Sequence, residues 1–154
     1  MEYINGIMSV CMDACLDLNI KGYDVIDPGV RDLVVVLHSN GYKTVCSCAG
    51  SVCNLEPYPW VVISFDFENE KEKVFNLLRI VADYNASLST DGVLPRVTEY
   101  WTCTPIYVAG CYCLYLQASD NNVERSLDRV YELCENSTRL ANFIEQNLEN
   151  GEKK

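Results

Sequence analysis

The sequence has no long hydrophobic run and no basic segment among its first residues. Its longest aliphatic run, Leu33 to Leu37, is five residues, whereas a helix that spans a bilayer needs about 20 apolar residues. The first residues include Glu2 and Asp13, and they lack the Lys and Arg that begin a secretory signal peptide. We therefore expect no membrane span and a cytoplasmic location.

Basic residues are also scarce. The chain has 12 Lys and Arg against 22 Asp and Glu, which gives a net charge of −10. A protein that binds the phosphates of DNA or RNA needs clustered Lys and Arg, and the sequence contains no such cluster. We therefore expect neither a DNA nor an RNA partner. A small anionic ligand stays compatible with the sequence, because one or two basic side chains and a few main-chain N–H groups can bind it.

Histidine is nearly absent, although cysteine is abundant. The chain has one histidine, His38, and nine cysteines. An odd cysteine count without a secretory signal predicts reduced thiols and no disulfide framework. Two Cys-x-Cys pairs, Cys46/Cys48 and Cys111/Cys113, raise the alternative of a four-cysteine zinc site. Residues i and i+2 of a strand lie roughly 6.5–7 Å apart, but sulfurs around zinc lie less than about 4 Å apart, so we expect a half-buried sheet face and no metal.

The pattern of apolar residues predicts an α+β fold in a single domain, residues 1–150, followed by a disordered tail, 151–154. The element signals follow the order of one helix, two successive αββ units and a last helix. An antiparallel sheet with the helices packed on one face fits this order best. The predicted helices cover about residues 4–18, 28–39, 69–84 and 121–148, and the predicted strands cover 42–48, 60–67, 93–101 and 110–118.

Two of the predicted helices carry clear end signals. Asp27 is a favoured N-cap residue and Pro28 suits the first helical position. Gly41 supplies the left-handed conformation that ends a helix. In the last helix, Asn121 and Glu124 have the spacing of a capping box. That helix has an apolar stripe of Val123, Leu127, Val130, Tyr131 and Cys134, and its pattern weakens around residues 136–138.

The most distinctive segment is the end of the first predicted strand. There Ser47-Cys48-Ala49-Gly50-Ser51 combines small side chains with a glycine, so that another group can approach the main chain closely. Exposed N–H groups in such a turn, together with the two serine hydroxyls, could hold a phosphate or a carboxylate. The alternative is a turn whose small residues serve packing alone.

Within residues 28–67, a predicted helix ends in Asn-Gly-Tyr, the next strand ends in Thr-Val-Cys-Ser-Cys-Ala-Gly, and another strand starts at Trp60. This combination resembles the core of the wybutosine-synthesis tRNA methyltransferase family. Ser47, Cys48 and Gly50 match the family's Ser-Cys-x-Gly motif. The position after Cys48 is Ala where the family has a second Ser, and the position after Gly50 is Ser where it has Arg. The resemblance implies a pocket for an adenosine-like molecule such as S-adenosylmethionine.

Aromatic and basic side chains near strand ends complete the candidate ligand site. Tyr and Trp rings there can stack on a nucleobase, or they can cover the core with their polar atoms in water; the rings concerned belong to Tyr58, Trp60, Tyr100, Trp101 and Tyr107. Arg96 is the best-placed phosphate partner and Lys43 the second, although both could be edge-strand charges. The candidate ligand-binding residues are Lys43, Ser47, Cys48, Gly50, Ser51, Tyr58, Trp60, Arg96, Tyr100 and Trp101.

No set of catalytic groups stands out from the sequence. His38 lies in the last turn of its predicted helix, where a partial positive charge is favourable. A nucleophilic pair with Cys46 or Cys48 is the alternative, but no third group completes it. Asp66 and Glu99 are strand-borne acids without a visible acid–base partner.

These observations favour a non-catalytic protein that binds a nucleotide-like molecule. Such a protein could sense or sequester a nucleotide signal, for example a cyclic nucleotide, as viral anti-defence sponges do. One alternative is an S-adenosylmethionine-dependent, RNA methyltransferase-like enzyme. Another is an acidic interaction module whose C-terminal helix contacts a partner with a basic surface. Unpaired sheet edges could also join copies of the chain into a homo-oligomer.

Overall fold

The computed structural model describes residues 26–50, 58–88, 99–108, 110–120 and 126–151. The predicted first helix, the capping box at residues 121–124 and the end of the predicted tail lie outside these ranges. So do two candidate ligand residues, Ser51 and Arg96.

The described residues form three α-helices, one short 3₁₀ helix and four strands. In chain order these are the 3₁₀ helix Pro28–Val30, α1 (Arg31–Ser39), β1 (Lys43–Cys48), β2 (Trp60–Phe65), α2 (Lys71–Ser87), β3 (Glu99–Val108), β4 (Cys111–Asp120) and α3 (Leu127–Gly151). No helix within this part of the chain is both long and apolar enough to cross a bilayer.

The four strands form one antiparallel sheet in the order β1-β2-β4-β3, which confirms the predicted α+β class. β2 and β4 are the central pair, and β1 and β3 are the edges. Thr44 lies opposite Ile63 while Cys46 lies opposite Val62, so Val45 is an extra, bulged residue of β1. The bulge brings Val45 and Cys46 to the same face of the sheet.

The three described helices pack on one face of the sheet, as predicted. Val61 and Ile63 of β2, with Leu114 and Leu116 of β4, meet helix residues there in the main core. The alternate residues of the same strands point to the other face, where a smaller apolar cluster includes Trp60, Val62 and Cys113. β2 and β4 therefore alternate between the two faces, because successive side chains of a strand point to opposite faces.

The bounds of β3 differ from the prediction. Residues 93–101 were expected to form the strand, but the strand is Glu99–Val108 and the turn to β4 contains Gly110, whose φ is +82°. Pro105 lies inside this strand although proline cannot donate a ladder hydrogen bond. Among the described strands β3 pairs only with β4, and an edge strand tolerates a proline.

One predicted end of α1 is correct and the other is not. Gly41 has a φ of +75°, and Tyr42 N–H donates to the Leu37 carbonyl oxygen (2.9 Å), as expected for a glycine-terminated helix. At the other end, residues 28–30 form a 3₁₀ turn and the Asp27 side chain makes no capping bond. Its carboxylate instead accepts a hydrogen bond from Ala49 N–H (3.1 Å), 22 residues away.

Helix α3 begins after Ser126, whose Oγ accepts a hydrogen bond from Arg129 N–H (3.2 Å). It then runs unbroken through residues 136–138. Asn136 is buried there, and its Oδ1 accepts hydrogen bonds from Tyr84 Oη (2.7 Å) and Trp101 Nε1 (3.0 Å). Asn136, one of the polar residues that weaken the helical pattern, therefore belongs to a buried network that joins α2, α3 and β3.

Candidate functional site

The turn that follows β1 borders a groove of about 520 Å³. Ligand pockets in proteins commonly measure roughly 300–1,000 Å³ and are mostly apolar. One wall consists of Pro28 and Gly29 from the 3₁₀ helix together with Ala49 and Gly50 from the turn. The other wall is the first half of α3. Part of the predicted ligand turn thus lines this groove.

The α3 wall is the apolar stripe that the sequence indicates for the start of this helix. Leu127 and Tyr131 are 62% and 68% exposed, and Val130 and Cys134 are half-buried. The core-facing residues of α3 are Leu133, Leu140, Ala141 and Ile144. At about 100° per residue, the two stripes lie roughly a quarter of a turn apart around the helix. The first stripe therefore faces the groove and not the core.

Gly29 allows the two walls to approach each other. A Cβ atom at this position would overlap the Sγ atom of Cys134 and lie 2.9 Å from the Cβ atom of Ala49. Such close contacts are not tolerated in a packed interior. Glycine is thus required where the 3₁₀ helix, the turn and α3 meet.

The main-chain N–H groups of Ala49 and Gly50 in the turn are already engaged. Ala49 N–H donates to the Asp27 carboxylate, and Gly50 N–H donates to Cys48 Sγ at 3.3 Å. Gly50 has a φ of +82°, a conformation that favours glycine. The expectation that these two amides are open to an anionic ligand is therefore corrected, because a carboxylate of the chain itself binds the first and a sulfur atom accepts from the second.

The length of β1 separates Lys43 from the turn at the other end of the strand. Ser47, Cys48 and Gly50 lie at one end of β1, and Lys43 lies exposed at the other, about 16 Å away along the strand. Trp60 is the register partner of Cys48. Lys43 therefore does not belong with the turn.

The two tryptophans of the candidate site are core residues. Trp60 is 7% exposed and Trp101 is 2% exposed, so neither ring has a face open to a ligand. The main chain of Trp101 also makes two hydrogen bonds with the side chain of Asn85 (2.8 and 2.9 Å). Tyr58 is half-buried against the main core, and Tyr100 is half-buried on β3, the opposite edge of the sheet from β1.

The Cys-x-Cys pairs lie on one face of the sheet, as predicted. Cys46, Cys48, Cys111 and Cys113 belong to the smaller apolar cluster, and each is a thiol outside any disulfide bond. Among the residues described, no three cysteine, histidine or acidic side chains are grouped to hold a metal ion. α1, with the exposed His38, packs on the other face, so the sheet lies between His38 and the Cys46 and Cys48 thiols.

Burial keeps several thiols protonated at neutral pH. It raises the pKa of Cys103 to about 12. The pKa of Cys134, in the groove wall, is raised by burial and further by the Asp27 carboxylate and Cys48. A thiol is a poor nucleophile until it ionises, so these cysteines act as packing groups.

Three polar or aromatic residues of the groove escaped the sequence interpretation as ligand contacts: Tyr131, Glu135 and Thr138. The signal that could have found them is a mismatch of phase within α3. The stripe that contains Leu127 and Tyr131 is not in line with the stripe that contains Leu140 and Ile144. A helix whose apolar stripe changes direction contacts two different surfaces.

Comparisons of the chain with protein-family models, with curated proteins and with solved structures found no match. The resemblance to the wybutosine-synthesis family stays a prediction from the sequence.

Proposed function

We propose that the protein is a non-catalytic binding protein whose groove holds the planar part of a nucleotide-like small molecule. The observation that carries the proposal is the exposed Tyr131 ring beside a wall that contains two glycines, Gly29 and Gly50. A wall with little side-chain bulk leaves room for a flat group. An exposed ring beside that room supplies a surface for stacking.

The expected contacts are apolar. Stacking of a base on an aromatic side chain contributes about 1–3 kcal/mol, and Tyr131 is the aromatic residue that lines the groove. Leu127, Val130 and Cys134 would contact the edges of the bound ring. Of the residues proposed from sequence as ligand contacts, Gly50 lines this groove, and Ser47 and Cys48 lie next to it in the chain.

A binding role without chemistry is supported by the high pKa values of Cys103 and Cys134, which leave both thiols protonated. The proposal includes a cytosolic location, which the odd cysteine count supports. In that compartment the protein would sense or sequester a nucleotide signal.

The test is a binding screen with a matched pair of variants. Thermal shift and calorimetry would be run over nucleosides, mono- and dinucleotides, cyclic nucleotides and S-adenosylmethionine. Tyr131→Ala should weaken binding about 5- to 150-fold, the equivalent of one lost stacking contact. Tyr107→Ala should leave binding unchanged, because Tyr107 is 64% exposed but lies beside Tyr112 on the hairpin of β3 and β4 and does not line the groove.

Silence of the wild-type protein across the whole panel would refute the proposal. Binding of S-adenosylmethionine with transfer of its methyl group to RNA would favour the methyltransferase-like alternative. A complex with a protein of basic surface that dissociates with added salt, and that Tyr107→Ala leaves intact but Leu127→Ser abolishes, would favour the interaction module.

A further inference from the structure

The hydrogen-bonding atoms of the groove differ in kind from those that a phosphate needs. On the turn side, the N–H groups of Ala49 and Gly50 are both engaged, one of them by the Asp27 carboxylate at 3.1 Å. A phosphate oxygen at this turn would have to compete with a carboxylate that is covalently part of the chain. It would also be repelled by that carboxylate.

On the α3 side, the polar side chains of Glu135 and Thr138 offer hydrogen-bond acceptors to the groove. The hydroxyl of Thr138 donates its proton to Asp32 Oδ2 at 3.0 Å, so the oxygen atom has only lone pairs to offer the groove. The second polar side chain in this wall is the carboxylate of Glu135, which is an acceptor when ionised. Apart from the Tyr131 hydroxyl, which can donate or accept, the α3 side chains that could bond to a ligand thus accept hydrogen bonds.

The charge around the groove is negative. The Asp27 carboxylate raises the pKa of Cys134 beyond the effect of burial, which marks a negative potential at the groove wall. Arg139 forms an ion pair with Glu135 at 3.5 Å, and Arg31 donates to the Ile26 carbonyl oxygen at 3.0 Å. Neither arginine lines the groove.

We infer that the groove selects a neutral or cationic ring that donates hydrogen bonds, and that it holds the base of a nucleoside while any phosphates stay outside. This inference rests on the proposed function, and it names the ligand class of the same site. An exocyclic amino group or a positively charged heteroaromatic ring meets the acceptors Glu135 and Thr138. A cationic ring additionally gains from the face of Tyr131.

Two pairs of probes, which share a ring system and differ in charge, test which sign of ligand charge the groove favours. Adenosine and its 5′-monophosphate differ by a phosphate of about −1.5 to −2 charge at pH 7. Two like charges about 6 Å apart in water repel by a factor of about three in affinity, so the monophosphate should bind about tenfold more weakly than adenosine at low salt. Nicotinamide and the 1-methylnicotinamide cation form the second pair, in which the cation should bind about threefold more tightly.

A matched pair of variants assigns the effect to the groove. Glu135→Gln keeps the size of the side chain and removes its charge, and should reduce the adenosine preference to less than about threefold. Glu145→Gln removes an exposed charge on the same helix outside the groove, and should leave the preference unchanged. Added salt should narrow the wild-type preference as well.

The outcomes separate the two proposals. Equal affinities for adenosine and its monophosphate, or tighter binding of the monophosphate, would overturn the inference about ligand class and leave the proposed binding function in place. Failure of every nucleoside and nucleotide probe to bind would overturn the proposed function, and the inference with it.

Discussion

Replacement of Asn136 by alanine should destabilise the protein more than any exposed substitution in the same helix. The Oδ1 atom of Asn136 accepts hydrogen bonds from two buried donors, Tyr84 Oη at 2.7 Å and Trp101 Nε1 at 3.0 Å. Alanine removes the acceptor and leaves both donors away from water. A buried polar group that loses its partner costs about 1–3 kcal/mol.

The magnitude follows from the geometry of the two donors. Tyr84 Oη keeps a 3.4 Å contact with the main-chain oxygen of residue 136, so its loss lies at the lower end, about 1 kcal/mol. Trp101 Nε1 has no such substitute among the bonds described, which adds about 1–3 kcal/mol. Alanine recovers about 0.5 kcal/mol of helix propensity. The free energy of unfolding should therefore fall by about 1.5–3.5 kcal/mol.

Urea denaturation followed by far-ultraviolet circular dichroism measures this change. With an m-value of about 2 kcal/mol/M, the midpoint should fall by about 0.8–1.8 M. Asn142→Ala, an exposed asparagine of the same helix, should change the free energy of unfolding by less than about 0.5 kcal/mol. In a double-mutant cycle with Tyr84→Phe, the pair should show a coupling of at least about 0.5 kcal/mol. If Asn136→Ala proves as stable as Asn142→Ala, the buried network does not stabilise the fold in the way described.

Two further predictions concern stability. Gly29→Ala should lower the free energy of unfolding by about 1–3 kcal/mol, because its Cβ would overlap Cys134 Sγ. In urea titrations, Cys134→Ala in the same chain should restore part of this loss. An equal cost of Gly29→Ala in the wild-type protein and in the Cys134→Ala protein would refute the close packing. Burial raises the pKa of Tyr42 and of Cys103 to about 12, from 10.0 and 9.0. Because the folded protein holds these protons more tightly, their contribution to stability is complete below pH 9 and is lost as the pH rises to 12. Tyr42→Phe should flatten this alkaline decline, and an unchanged slope would contradict the assignment.

Part of the candidate site could be predicted because it depends on local sequence. The small residues at positions 47–50 mark a tight turn wherever it lies in the fold, and Gly50 indeed has a positive φ. The apolar stripe of α3 could be read as well, because helical spacing is independent of what the stripe contacts. The sequence could not show that Leu127 and Tyr131 face a groove. Nor could it show that Ala49 and Gly50 form the other wall of that groove.

Other candidate ligand residues lie in the core, for a reason that the sequence does not reveal. Trp60 and Trp101 stand near strand ends, where aromatic residues either stack on ligands or cover a core. The choice depends on what packs over them, and for Trp101 this includes Asn85, 16 residues earlier, and Asn136, 35 residues later. The capping bond predicted for Asp27 is absent for the same kind of reason, because the donor that its carboxylate binds instead, Ala49 N–H, lies 22 residues away in the sequence.

Local pattern and composition are enough to derive the α+β class, the alternating faces of β2 and β4, the glycine end of α1 and the acidic character of the chain. These properties depend on residues within a few positions of one another, or on simple counts. The groove depends on contacts such as Cys134 Sγ with the Ala49 carbonyl oxygen, 85 residues apart. Which donors of the turn are engaged, and which tryptophans are buried, follows from packing between distant segments, and no local pattern encodes it.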